Sequence, residues 1–138
     1  MLSKKTKYGL KALSYLAKQK VNEPILISEI SESENISKKF LESILLTLKK
    51  NGILASKKGK GGGYYLMKQP NEIKISTLIR ILEGPIAMLP CVSLNYYEKC
   101  DDCISEERCS LNRLMVEVRD NTLKILENKT LEDFHCGT

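Results

Sequence analysis

Ser37-Lys38-Lys39-Phe40-Leu41-Glu42-Ser43-Ile44-Leu45-Leu46-Thr47-Leu48-Lys49-Lys50-Asn51-Gly52 is followed at once by Ile53-Leu54-Ala55-Ser56-Lys57-Lys58, Gly59-Lys60-Gly61-Gly62-Gly63 and Tyr64-Tyr65-Leu66-Met67. This stretch decides the fold. Ser37 is an N-cap candidate, its hydroxyl able to accept from a first-turn N–H. Phe40, Leu41, Ile44, Leu45 and Leu48 recur at helical spacing, while Lys38, Lys39, Lys49 and Lys50 fall outside that stripe. Asn51-Gly52 ends the helix, with glycine supplying the left-handed cap. Two short apolar runs then flank a turn of four glycines and one lysine, which predicts a β-hairpin with Lys57, Lys58 and Lys60 at its tip.

Toward the N-terminus, Tyr8, Ala12, Tyr15 and Leu16 share a stripe, with Leu10, Leu13 and Ala17 beside it. Their spacing predicts a helix over about residues 3 to 19, broken by Asn22-Glu23-Pro24. Ile25-Leu26-Ile27 is a short apolar bridge. Ser28 is expected to cap a short helix containing Glu29, Ile30 and Ser31, and the lapse at Ser33-Glu34-Asn35 predicts a turn. Helix, turn, helix and basic hairpin make a winged helix-turn-helix: a recognition helix for the major groove and a wing for the backbone or minor groove. Double-stranded DNA is the expected partner. A nucleotide-phosphate loop is not expected at the glycine-rich tip, because Lys60 precedes Gly rather than Ser or Thr and no helix begins there.

Toward the C-terminus, an amphipathic segment over about Ser76 to Glu83 ends at Gly84-Pro85. Residues 85 to 109 have no sustained period and hold four of the five cysteines. From Cys109 a long helix resumes, with Leu111, Leu114, Met115, Val118, Thr122, Ile125 and Leu126 spaced by three or four. So long an apolar stripe exceeds what a small winged module needs, so the helix is expected to pair with its copy in a homodimer. The fold class is therefore mainly α. It divides into a winged helix-turn-helix over 1–84, a cysteine-rich loop over 85–109, and a dimerisation helix with tail over 110–138.

Charge follows the same division. Residues 1–70 hold 14 Lys and 5 Glu and carry +9, whereas residues 71–138 carry −4, within a chain of net charge +5. A basic front half suits a polyanion. At 138 residues with 42% apolar and 28% charged residues, the chain has the composition of a folded domain and no apolar run of membrane-spanning length. It lacks a signal-peptide pattern, so a cytoplasmic location is expected. No nucleophile–base set or paired carboxylates stand out, which argues against an enzyme, and the basic winged half would be needless in a small electron carrier.

The thiols follow the pattern Cys91-x8-Cys100-x2-Cys103-x5-Cys109. Four in 19 residues of irregular chain can converge on one metal or cluster, and thiolates suit iron–sulfur clusters and zinc. Only Cys100 and Cys103 form a close pair, and that uneven spacing favours a cluster while leaving zinc open. A dithiol redox pair in a thioredoxin-like setting is not expected, since the βαβ context is absent. Cys136 reads as a bystander and His135 as exposed and idle.

The stretches Ile36–Glu42, Leu48–Leu54 and Ser56–Tyr64, extended by Lys7-Tyr8-Gly9 and Thr130–Phe134, resemble the Rrf2 family of bacterial transcription regulators. The resemblance implies a dimeric winged-helix repressor or activator, with a cluster in the cysteine loop. Cys91, Cys103 and Cys109 match the three cluster cysteines of the family's iron–sulfur regulators. The first gap is longer here and carries Cys100. Asn112 stands where those regulators place a His ligand, and Lys7-Tyr8 stands where other members supply an Asp. Cys100 is thereby implied as the fourth ligand, with a four-iron cluster favoured over a two-iron one. A cluster-free regulator bound to zinc or switched by its thiols is the alternative. Ser37, Lys39 and Glu42 match base-contacting positions, with Lys38 beside them on the outer face. Lys58 matches a wing Arg that enters the minor groove, and Lys57 and Lys60 are expected on phosphates.

Overall fold

The computed structural model describes residues 2–20 and 22–134. Helix α1 (Lys4–Ala17) starts where the Ser3 side chain accepts from the Thr6 N–H. It buries Leu10, Leu13 and Leu16. Helix α2 (Ile27–Glu34) has its N-cap at Leu26, two residues before the expected Ser28 cap, and no side-chain cap bond. The cause lies far away in sequence. Ile25 exchanges backbone hydrogen bonds of 2.8 Å with Tyr64 and is held extended beside the hairpin, so the helix starts immediately afterwards. Its far end also differs from expectation: Ser33 and Glu34 remain helical, and the reversal is confined to Asn35, in the left-handed conformation at φ 53°. Tyr15 donates to Glu29 at 2.6 Å across α1 and α2, and that carboxylate partner holds the Tyr15 proton on above the usual phenol range.

Helix α3 (Lys38–Lys50) is capped as expected, the Ser37 hydroxyl accepting from the Phe40 N–H at 3.2 Å, and Gly52 follows its end at φ +77°. Leu41, Ile44, Leu45 and Leu48 are fully buried against α1 and α2. Each such side chain contributes about 1.5–3 kcal/mol by leaving water. Tyr8 meets Phe40 edge to face at 5.7 Å, adding a contact between α1 and α3.

Strands β1 (Leu54–Lys57) and β2 (Gly63–Leu66) form the antiparallel hairpin, with Leu54 opposite Leu66 and Lys57 opposite Gly63. Gly63 has φ +142°, and a Cβ there would drive into the backbone of Ile25. Gly63→Ala is therefore expected to cost about 1–3 kcal/mol, as strained backbone positions do. A urea midpoint unchanged from the parent would refute this account of how the wing is seated.

Helix α4 (Ile75–Leu82) buries Leu78, Ile79 and Leu82 in the same core, and α5 (Ser110–Glu127) packs along it. After α5 the chain returns. Leu131 donates to the Ile73 carbonyl at 2.9 Å and is fully buried in the core cluster of the N-terminal helices. The Glu83 carboxylate accepts from the Ser3 N–H at 2.7 Å, the Ser3 hydroxyl at 2.8 Å and the Thr6 hydroxyl at 3.0 Å. Those bonds hold its pKa below the ordinary carboxylate value and tie the start of α1 to the residue from which the cysteine loop departs. No helix among the described residues is long and apolar enough to cross a membrane.

Candidate functional site

Two regions combine chemistry with exposure. The first is the outer side of α3 with the hairpin tip. Because the inner stripe of α3 is consumed by the core, Ser37, Lys38, Lys39 and Glu42 all face outward, and Lys57, Lys58 and Lys60 are exposed on the hairpin. Ser43 and Leu46 share this outer face and were missed by the sequence reading. Helical arithmetic could have found them, since they lie four residues beyond Lys39 and Glu42. No carboxylate lies on the hairpin between Leu54 and Leu66, so its positive charge has no local counter-ion. An exposed helix beside such a cationic hairpin can place side chains in a major groove while the lysines neutralise phosphates.

The second region is the cysteine loop. Cys91 lies in a short 3-10 turn over Pro90–Val92, Cys103 closes a tight turn by donating its N–H to the Cys100 carbonyl at 3.1 Å, and Cys109 is the N-cap of α5. All four thiols line one cavity of about 480 Å³, together with Leu89, Pro90, Leu111 and Asn112. Cys91, Cys103 and Cys109 are half-buried and Cys100 is exposed. The Cys100 thiol donates to Asp102 at 2.7 Å; this bond keeps the thiol protonated above its usual range and the Asp102 carboxyl ionised below its own.

The loop is anchored from both sides. Arg119 of α5 donates to the Val92 carbonyl at 2.9 Å and is itself held by Asp120 at 2.8 and 3.0 Å. Val92 is buried, so this bond fixes the residue next to Cys91. Tyr97 donates to Glu106, which brackets the Cys100–Cys103 turn and raises the Tyr97 pKa. At the mouth of α5, Asn112 donates its side-chain N–H to Cys91 and its backbone N–H to Cys109, each at 3.4 Å.

The donor chemistry fits a thiophilic metal or an iron–sulfur group, with four thiols on one cavity of ligand-site size. The thiols are not gathered, however. Among the described residues, no three His, Cys, Asp or Glu side chains are arranged to hold a metal ion. His135 and Cys136 lie outside the described residues.

The long helix divides its apolar residues in a way its spacing did not predict. Leu123, outside the expected stripe, is the residue of α5 that is buried, whereas Leu111, Leu114 and Ile125 are more than half exposed. Leu94, Tyr96, Tyr97 and Ile104 of the loop add exposed apolar surface.

Comparison with known proteins agrees with this architecture. Residues 2–136 match the family described as Rrf2, iron-dependent transcriptional regulator. An HTH-type regulator of Rhodobacter capsulatus, described as rrf2-like, is 43% identical over 136 residues, spanning 96% of this chain and 91% of that protein. Among solved structures, CymR, the global cysteine regulator of B. subtilis, aligns with TM-score 0.77 at 32% identity, covering 96% of this chain and 94% of that one. IscR of T. potens aligns with TM-score 0.73 at 28% identity, covering 96% and 84%. With winged-helix relatives of this kind, a basic wing and an outward recognition helix, the chain belongs to the Rrf2 family of DNA-binding transcriptional regulators and is not an enzyme.

Proposed function

We propose that this regulator works in the cytoplasm as a homodimer on double-stranded operator DNA and senses redox, iron or nitric oxide state through an iron–sulfur cluster. Cys91, Cys100, Cys103 and Cys109 would hold it, a four-iron cluster being favoured over a two-iron one. The observation that carries this reading is that all four cysteines line one cavity at the N-terminus of α5. When bound, the cluster supplies one-electron redox chemistry whose potential depends on hydrogen bonding and exposure.

The chain's own residues do the rest. Arg119 and Asn112 fasten the loop to α5, so a change in the loop is felt by the helix whose exposed Leu111, Leu114 and Ile125 are available to a second copy. In that dimer, Ser37, Lys39 and Glu42 would face base edges, with Glu42 accepting from a cytosine amino group. Lys38, Lys57 and Lys60 would meet phosphates, and Lys58 would enter the minor groove. A coupling of about 1–3 kcal/mol between loop and reading face would change DNA affinity roughly 5- to 150-fold.

A second reading has its own support. The ungathered thiols and the likeness to a global cysteine regulator favour a cluster-free protein that binds zinc or switches by thiol chemistry. Anaerobic purification with iron, acid-labile sulfide and zinc assays separates the two. Iron with equal sulfide is expected; zinc without sulfide, or no metal together with full operator binding, would overturn the cluster.

A further inference from the structure

We propose that Asn112 is a positioning residue of the cysteine site: its side-chain amide orients the Cys91 sulfur and raises the reduction potential of the cluster bound there. This rests on the cluster reading above. Asn112 occupies the first turn of α5, three residues after the cap Cys109, so its backbone N–H and its side chain both point back toward the cavity. The two donors reach different thiols, Cys109 through the backbone and Cys91 through Nδ2, each at 3.4 Å. Cys91 is 21 residues away in sequence, so one side chain fastens the loop's first cysteine to the helix that begins at its last.

The direction of the amide follows from charge. A metal-bound sulfur is a thiolate, which accepts hydrogen bonds only, so the N–H end of Asn112 must face Cys91 and the carbonyl end must turn away. Asn112 therefore cannot act as a ligand in that orientation. It acts on the ligand. A donor aimed at a cluster sulfur stabilises the more negative, reduced state more than the oxidised one, and hydrogen bonds to sulfur are among the levers that set such potentials. Outer donors of this kind also fix ligand direction. The loop leaves the cavity partly open to water on the Cys100 side, which makes the half-buried Cys91 side the place where a single donor has most effect.

The test uses full-length protein purified anaerobically, titrated with a chemical reductant and followed by visible absorption, with iron and sulfide assayed alongside. Asn112→Ala removes the side-chain donor and leaves the backbone bond to Cys109. Asn112→Asp keeps the shape and suits a helix first turn, yet offers no donor and adds negative charge. The expected result is parental iron and sulfide in both variants, with the reduction equilibrium shifted about tenfold toward the oxidised state for Ala, or about 59 mV for one electron, and further for Asp. A parental potential in both variants would overturn the inference. So would loss of iron and sulfide in both, because Asn112 would then be needed for loading itself. If the parent protein carries no iron and sulfide, the cluster reading fails and takes this inference with it. A thermal midpoint within about 2 °C of the parent would separate a positioning role from simple destabilisation of α5.

Discussion

Cys103→Ala protein, purified without oxygen, is expected to be colourless and to hold iron and sulfide at background level. Cys103 is the informative choice among the four. Cys91 and Cys109 also accept hydrogen bonds from Asn112, and Cys109 caps α5, so removing either would disturb the helix as well as the ligand set. Cys100 is exposed and bonded to Asp102, at the rim of the cavity. The Cys103 thiol is half-buried and faces the same cavity, while the tight turn that presents it is made by backbone groups that survive the substitution. Three thiols and a water molecule hold a cluster poorly, because the missing thiolate leaves one metal position open to hydrolysis.

The same variant tests the coupling. The α1–α4 core contains none of these cysteines, so far-ultraviolet circular dichroism and the thermal midpoint should remain close to the parent. DNA affinity should then move by roughly 5- to 150-fold relative to the loaded parent, the range of ordinary allosteric couplings. Retention of full iron and sulfide would remove Cys103 from the ligand set. Full loss with DNA binding unaltered would leave a metal site without a switch.

How much of this was legible beforehand varies with sequence distance. The helix from Lys38 to Lys50 and its wing were readable because their signals are local: a serine cap, a stripe of Leu and Ile, and glycines at the turns. The start of α2 was misplaced because Ser28 satisfies the capping rule locally, whereas the Ile25–Tyr64 pairing fixes the boundary from 39 residues away. The burial of Leu123 and the return of Leu131 into the core likewise depend on distant contacts, the packing of α5 along α4 and the pairing of Ile73 and Lys74 with Thr130 and Leu131. In the cysteine loop, spacing was enough to nominate four thiols for one site. It could not show that Asn112 and Arg119 hold the loop, since each bond joins α5 to a residue more than 20 positions away.

Replacing Lys57 and Lys58 together by Ala is expected to weaken operator and random-sequence DNA alike. Both lysines are exposed on the hairpin, opposite no carboxylate, so the substitution removes charge without opening the core. A homodimer presents the pair twice. Four exposed charge pairs at about 0.5–1 kcal/mol each amount to ~2–4 kcal/mol, or roughly a 30- to 1,000-fold loss of affinity. The salt dependence gives a sharper signature. Each phosphate no longer neutralised lowers the slope of log K against log salt by about 0.9, so losing the two Lys57 contacts should flatten it by roughly 1.8, and by up to about 3.6 with the two Lys58 cations in the minor groove. Because Lys57 on a phosphate positions the protein without reading bases, and Lys58 in the minor groove lacks the planar fork of an Arg, the ratio of specific to non-specific binding should change little. Glu42→Ala is the contrasting substitution, since a carboxylate near base edges adds discrimination and repels phosphates. It should leave the slope intact and lower the ratio. Parental affinity and slope in the double variant would take the wing out of the interface, and a loss confined to the operator, with affinity for random DNA and slope both parental, would place Lys57 and Lys58 on bases instead.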